Sequence, residues 1–145
     1  MTIAVFIDLQ GTLGGDSHGD IRSLDFYPFA IEALKRLNDA RFDAVYCCPH
    51  QRYENCLCKK PKVGMIDMAK KDFDIDIVNS FVVGDMGIND MILAENIGAK
   101  GILVLTGAGN DSLNAYRHTW QDVEPYFIAE NVLEAVDFIL SDIRV

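Results

Sequence analysis

Short apolar runs alternate with amphipathic stretches along this chain of 145 residues. Runs rich in β-branched and aromatic residues predict buried strands at residues 3–8, 42–47, 77–85, 101–105 and 126–129. Apolar residues that recur every three or four positions predict helices at residues 28–40, 62–73, 90–97 and 132–140. Pro28 suits a first helical turn, and Asn131 is expected to cap the last helix. The alternation of strands and helices predicts an α/β fold with a mostly parallel sheet.

Composition limits the classes of function. Half of the residues are hydrophobic, which suits a single globular domain over residues 1–145. The net charge of −9 argues against binding to nucleic acid or to a membrane surface, because that affinity comes from lysine and arginine. No apolar run approaches the length of a membrane span and no secretory signal is visible. We therefore expect a cytoplasmic protein. An acidic chain can still bind a small phosphorylated metabolite where a few cations and a metal ion meet at one site.

Two predicted strands end on a carboxylate. Asp8 closes the first apolar run, and Asp85 closes the run that contains Phe81. In an open parallel sheet the ligands bind at the carboxyl ends of the strands, so both carboxylates should face one crevice. Asp90 follows shortly afterwards. Such aspartates either bind a hard cation such as Mg²⁺ or attack phosphorus, whereas the alternative for Asp8 is that it only caps the following turn.

All four cysteines lie within residues 47–58. They are too clustered for a disulfide framework, and metal binding is the better explanation. The pattern Cys48-Pro49-His50 and Cys56-Leu57-Cys58 supplies three thiolates and one imidazole, a closed structural Zn²⁺ set. Cys47 is spare. The alternatives are free buried thiols or a redox pair.

A basic run, Lys59-Lys60-Pro61-Lys62, follows the last of these cysteines directly. A lysine held between the predicted zinc-binding loop and the start of a helix is well placed to neutralise phosphate oxygens. The alternative is a solvated basic segment.

Three stretches resemble motifs I, III and IV of the haloacid dehalogenase (HAD) superfamily: Phe6-Ile7-Asp8-x-x-Gly11-Thr12-Leu13, Lys60-Pro61 and Val83-Gly84-Asp85-x-x-x-x-Asp90. The cysteine loop with its Lys-Pro-Lys sequence is similar to the D-glycero-D-manno-heptose 1,7-bisphosphate phosphatase and histidinol-phosphatase branch, HAD subfamily IIIA. This resemblance implies a Rossmann-like three-layer α/β/α fold with a zinc-binding loop. It also implies hydrolysis of a small sugar or polyol phosphate monoester.

The resemblance assigns roles to individual residues. Asp8 would be the nucleophile and a Mg²⁺ ligand, with the backbone carbonyl of Gln10 and the carboxylate of Asp85 as further ligands. Lys60 would stabilise charge on the transferring phosphoryl group. Asp90 would orient that lysine or the metal shell. Substrate binding is assigned to Gly11, Thr12 and Lys59.

The sequence departs from the family pattern at two places. Relatives carry a second aspartate two residues after the nucleophile, as general acid and base, where this chain has Gln10. No serine or threonine occurs between Ser23 and Ser80, so the hydroxyl of motif II is missing. Relatives have a strand, a turn and a helix there, so the domain is either shortened or lacks a segment. A dimer that covers the resulting open strand edge is also expected.

These departures keep three functions open. The first is a Mg²⁺-dependent phosphatase, slowed by the carboxamide at position 10. The second is an inactive relative that keeps the fold and the metals and acts by binding. The third is a phospho-acceptor module in which Asp8 holds a long-lived acyl phosphate, because Gln10 does not promote its hydrolysis.

Overall fold

A computed structural model describes residues 2–15, 25–40 and 64–143 of the chain, with only the backbone at positions 64 and 65. Several predicted residues lie outside this described part. They are both lysines assigned to the phosphate, Lys59 and Lys60, and the four predicted Zn²⁺ ligands, Cys48, His50, Cys56 and Cys58.

The described strands are, in chain order, β1 (Val5–Ile7), β2 (Gly14–Gly15), β3 (Asp25–Phe26), β4 (Phe81–Gly84), β5 (Lys100–Val104) and β6 (Phe127–Ala129). Four of them form one parallel sheet in the order β1-β4-β5-β6. The short strands β2 and β3 pair antiparallel as a separate ribbon. The α/β fold with a parallel sheet that the apolar runs predict is therefore present.

The described helices are α1 (Pro28–Asp39), α2 (Gly64–Asp72), α3 (Ile92–Ile97), α4 (Gly109–Leu113) and α5 (Val132–Asp142). Proline stands at the first position of α1, as the sequence predicts. The side chain of Asn131 accepts a hydrogen bond from the backbone N–H of Glu134 at 3.0 Å, which confirms it as the cap of α5.

Helices cover both faces of the sheet. Alternate residues of a strand point to opposite faces. Phe81 and Val83 of β4 pack with α1 and α5, whereas Val82 between them packs with α2 and α3. The central strands β4 and β5 are therefore buried on both faces, which is why they read as continuous apolar runs.

The predicted strand over residues 77–85 is too long. Ile77–Asn79 form a 3₁₀ turn, and only Phe81–Gly84 are strand. Ser80 marks the boundary, because its buried hydroxyl donates to the carbonyl of Asp76 at 2.7 Å and accepts from the N–H of Ala4 at 2.9 Å. These side-chain hydrogen bonds replace ladder bonds and fold the preceding residues into a turn.

The strand β1 pairs with β4 along one edge only. Within residues 2–15, 25–40 and 64–143, no strand pairs with its other edge. The single domain over residues 1–145 and the homodimer remain predictions. None of the described helices combines the length and apolar character that a membrane span requires.

Candidate active site

The candidate site lies at the carboxyl edge of the parallel sheet. Asp8 follows β1 directly, and its backbone N–H donates to the carbonyl of Val83 at 2.9 Å, which extends the pairing of β1 with β4 by one residue. Asp85 follows β4. Because the two strands are parallel neighbours, both carboxylates emerge at the same edge, as the sequence predicts.

Three carboxylates meet there. Asp8, Asp85 and Asp90 each offer an oxygen, and these oxygens all lie within 4.8 Å of one another. Asp85 and Asp90 are buried, with 4% and 1% of their surface exposed, and Asp8 is half-buried. Three carboxylates this close repel one another unless protons or a cation intervene.

Asp90 reaches the cluster from an unusual turn. The chain forms a single π-helical turn over Gly87–Met91 before α3, where the sequence predicts the helix to begin at residue 90. The Oδ2 atom of Asp90 accepts a hydrogen bond from the backbone N–H of Met86 at 3.1 Å. This bond directs the carboxylate back towards the end of β4. Such π turns are frequent at functional sites.

Burial dominates the electrostatics of Asp85. Its Oδ2 atom accepts a hydrogen bond from the N–H of Ala108 at 2.8 Å, while the buried Oδ1 atom has no hydrogen-bond partner among the described residues. Burial, and after it the neighbouring charge of Asp8, raise the pKa of Asp85 to about 8 against the opposing hydrogen bond from Ala108. A buried carboxylate with an unpartnered oxygen is therefore ready to bind either a proton or a cation.

The donor set fits a hard divalent cation. Mg²⁺ and Ca²⁺ take carboxylate and carbonyl oxygens as ligands, and the described cluster offers three carboxylates. A cation would also satisfy the Oδ1 atom of Asp85, which the protein leaves without a donor. The residues present therefore fit the metal site that the sequence predicts.

Glycines line this cluster because there is no room for a side chain. Gly11 and Gly107 both have positive φ, +84° and +56°, and a Cβ atom at either would overlap Asp85 Oδ2. A Cβ atom at Gly84 would overlap the carboxylate of Asp90. The family resemblance assigns Gly11 to substrate binding, which stays a prediction, and the structure shows this glycine packed against the carboxylate of Asp85.

The residues around the nucleophile position differ in exposure. Thr12 is fully buried, and its hydroxyl lies 3.4 Å from Oδ2 of Asp8 as a hydrogen-bond donor. Gln10 is exposed and forms an isolated β-bridge with Gly14. Thr12 is therefore placed to orient Asp8, and its assignment to substrate binding stays a prediction.

The sequence does not predict the residues that hold the backbone of Asp85 in place. The buried hydroxyl of Ser112 donates to the carbonyl of Asp85 at 3.1 Å and accepts from the N–H of Gly87 at 3.3 Å. The indole N–H of Trp120 donates to the carbonyl of Ser112 at 2.9 Å. The only signal in the sequence is the Thr-Gly-Ala-Gly turn at residues 106–109, which follows a predicted strand.

Comparison with known proteins decides the family. The HAD-hydrolase-like family model matches residues 57–135, more than half of the chain. This chain belongs to the HAD-like hydrolases. Within them it matches the heptose-bisphosphate 7-phosphatase and HisB-like branch, where its relatives include a D-glycero-D-manno-heptose-1,7-bisphosphate 7-phosphatase from Thermosynechococcus vestitus.

The cyanobacterial relative is 37% identical over 192 aligned positions, which cover 95% of each chain. Because 192 positions exceed the 145 residues of this HAD-like chain, the relative carries residues that have no counterpart here. A D-glycero-beta-D-manno-heptose-1,7-bisphosphate 7-phosphatase from Neisseria meningitidis is 28% identical over 146 residues, which cover 94% of this chain and 76% of that one. The extra residues of the cyanobacterial relative are compatible both with a shortened domain and with a missing segment.

A solved structure supports the fold. The D,D-heptose 1.7-bisphosphate phosphatase from B. bronchiseptica, crystallised with magnesium and phosphate, superposes with a TM-score of 0.77. The alignment covers 98% of this chain and 99% of that chain at 20% identity. At this identity the likeness establishes the HAD fold.

Proposed function

We propose that this chain is a Mg²⁺-dependent phosphatase that hydrolyses a small sugar or polyol phosphate monoester, with the heptose 1,7-bisphosphates as the first substrates to test. The observation that most directly supports this proposal is the cluster of Asp8, Asp85 and Asp90, which meet at the carboxyl edge of the sheet. Membership of the HAD-like hydrolases and the sugar bisphosphate phosphatases among its relatives support the substrate class.

Asp8 is the proposed nucleophile. It stands at the end of a strand that is paired along its length with β4, so its position is fixed by the sheet. One carboxylate oxygen attacks the phosphorus atom, and the bond between phosphorus and the sugar oxygen breaks. The leaving oxygen takes a proton from water. A second water then attacks the phosphorus of the aspartyl phosphate, which releases inorganic phosphate and returns the Asp8 carboxylate.

Asp85 and Asp90 are the proposed acidic partners of Asp8 in the metal site, with the backbone carbonyl of Gln10. A bound Mg²⁺ supplies positive charge that neutralises these carboxylates and polarises the phosphoryl oxygens. The roles of Lys59 and Lys60 at the phosphate are part of the proposal and rest on the sequence motif. The same holds for Zn²⁺ at Cys48, His50, Cys56 and Cys58, which would shape the loop facing the substrate.

The test is release of phosphate from a panel of sugar phosphates and bisphosphates, with Mg²⁺ and with a chelator. We expect release that depends on Mg²⁺ and disappears in Asp8→Asn. The matched control is Asp39→Asn, which changes an exposed aspartate at the end of α1 in the same way. Absence of release from every ester in the panel would contradict the proposal, as would equal activity of Asp8→Asn and the wild type.

Gln10 favours a second candidate function. A carboxamide cannot donate or accept a proton usefully near neutral pH, so both steps lack the help that relatives receive from a carboxylate. The chain would then bind Mg²⁺ and a phosphorylated ligand without turnover, or retain phosphate on Asp8. Mass spectrometry after incubation with acetyl phosphate separates these outcomes, because only the phospho-acceptor keeps a phosphoryl group on Asp8.

A further inference from the structure

The turn after β5 contacts two separate parts of the carboxylate cluster. The hydroxyl of Thr106 donates to the backbone carbonyl of Gly11 at 2.6 Å, across 95 residues of sequence. Two residues later the N–H of Ala108 donates to the carboxylate of Asp85 at 2.8 Å. Gly107 between them packs against both Gly11 and Asp85. One short turn therefore links the loop after β1 to the carboxylate after β4.

Gly11 explains why such a link is needed. Its φ of +84° and the proximity of Asp85 exclude any side chain, so the position must be glycine. Glycine restrains its own backbone least of all residues. The loop after β1 is closed by two backbone hydrogen bonds, from the N–H of Gly11 to the carbonyl of Gly14 and from the N–H of Leu13 to the carbonyl of Leu9. Neither bond fixes the distance between this loop and Asp85. The hydroxyl of Thr106 supplies that restraint from the turn after β5.

We propose that Thr106 is a positioning residue, whose hydroxyl fixes residues 8–12 against Asp85 and thereby sets the affinity of the cluster for Mg²⁺. The consequence for the metal rests on the proposed function. The restraint of the loop does not, because it follows from contacts within the protein. Thr106 touches none of the reacting groups and acts through the Gly11 peptide.

The first experiment measures the loop itself in metal-free protein. Amide hydrogen exchange of Gly11, whose N–H donates to the carbonyl of Gly14 at 2.7 Å, should be about tenfold faster in Thr106→Val, because a valine lacks the hydroxyl. Thr106→Ser keeps the hydroxyl and should exchange at the wild-type rate. The matched control is Thr119→Val, since the hydroxyl of Thr119 also donates to a backbone carbonyl, that of Tyr116, at 2.6 Å.

The second experiment titrates Mg²⁺ into the same four proteins by calorimetry. We expect about tenfold weaker binding in Thr106→Val, and wild-type binding in Thr106→Ser and Thr119→Val, since residues that orient metal ligands typically contribute this much. Unchanged exchange at Gly11 in Thr106→Val would overturn the proposal, as would an equal acceleration there in Thr119→Val. A wild-type chain that binds no Mg²⁺ would instead contradict the proposed function, and the exchange rates would still decide whether Thr106 restrains the loop.

Discussion

Gly11 lies against the carboxylate of Asp85, so closely that a Cβ atom at Gly11 would overlap Oδ2. The contact brings the loop after β1 onto the end of β4, although the two residues are far apart in sequence. The same carboxylate is buried and holds its other oxygen without a hydrogen-bond partner among the described residues. The position of Gly11 therefore determines whether Asp85 can face Asp8.

Gly11→Ala should displace Asp85 and strongly weaken Mg²⁺ binding. Two costs combine, the backbone strain of an L residue at positive φ and the overlap with the carboxylate. Gly98→Ala separates them, because Gly98 has a φ of +78° and no atom within 4 Å of the Cβ position. We expect Gly98→Ala to lower the free energy of unfolding by about 1–2 kcal/mol and to leave Mg²⁺ affinity unchanged.

Denaturant unfolding and calorimetric titration of both glycine variants provide the measurement. Equal losses of stability in Gly11→Ala and Gly98→Ala, with Mg²⁺ binding intact in both, would contradict the importance of the contact between Gly11 and Asp85.

The metal-free protein should become less stable as pH rises from about 4 to about 8. Folding raises the pKa of Asp85 from 3.8 to about 8, first through burial and then through the charge of Asp8. Between these values the folded state binds a proton that the unfolded state has lost. The free energy of unfolding therefore falls with rising pH in this window and levels off above it. Denaturant unfolding in a chelator at several pH values measures the slope.

Asp85→Asn is the control for this pH dependence. The amide carries no titrating proton, so the part of the fall in the free energy of unfolding that Asp85 causes should vanish. At pH 8 the metal-free variant should therefore be more stable than the metal-free wild type. Mg²⁺ should stabilise the wild type at pH 8 and not the variant, because the cation takes the place of the proton. A wild type and a variant with the same pH slope would show that Asp85 does not hold the proton.

Gln10→Asp should raise the rate of phosphate release. The change restores a carboxylate where proton transfer to the leaving oxygen and from the attacking water is needed, and such help is worth about 10²–10⁴-fold. Gln10→Asn is the matched control, since it changes the length of the side chain without adding an acid. Steady-state phosphate release under saturating Mg²⁺ measures both variants. Equal rates in Gln10→Asp and Gln10→Asn would mean that the missing acid does not limit turnover.

The cysteine loop should hold about one Zn²⁺ per chain, because four protein ligands close a structural site. Cys48→Ser should lose this zinc, whereas Cys47→Ser should retain it, since Cys47 stands outside the predicted ligand set. Elemental analysis after gel filtration measures the metal content. Zinc retained in Cys48→Ser, or lost equally in Cys47→Ser, would contradict the predicted ligands.

The sequence predicts the parts of the fold that depend on local pattern. Apolar runs locate β1, β4, β5 and β6 but not the ribbon of β2 and β3, and the predicted strand over residues 42–47 lies outside the described residues. The capping role of Asn131 follows from its residue type just before an apolar periodic stretch. The pattern fails at residues 77–79, because apolar Ile77 and Val78 read as strand although Val78 is 65% exposed in a 3₁₀ turn. That turn depends on Ser80, whose hydroxyl bonds no sequence pattern encodes.

The candidate site, like the fold, has one part that the sequence predicts and another that it does not. Asp8 and Asp85 are predictable as neighbours, because parallel strands bring their carboxyl ends to one edge. The hydrogen bonds that hold the surrounding backbone are not predictable, since the hydroxyls of Thr106 and Ser112 donate to the carbonyls of Gly11 and Asp85, which are 95 and 27 positions away. Neither residue type nor spacing distinguishes such a hydroxyl from an exposed one.

The edge of β1 that no described strand occupies has a consequence for the order of strands in the sheet. The chain passes from β4 through α3 to β5 on one face of the sheet and moves away from β1, whereas α1 packs on the opposite face with α5. Connections between parallel strands are right-handed, so a crossover on that opposite face steps in the reverse direction. In a parallel sheet of this handedness, the position that a crossover through α1 leads to is therefore the outer side of β1, the side next to Asp8.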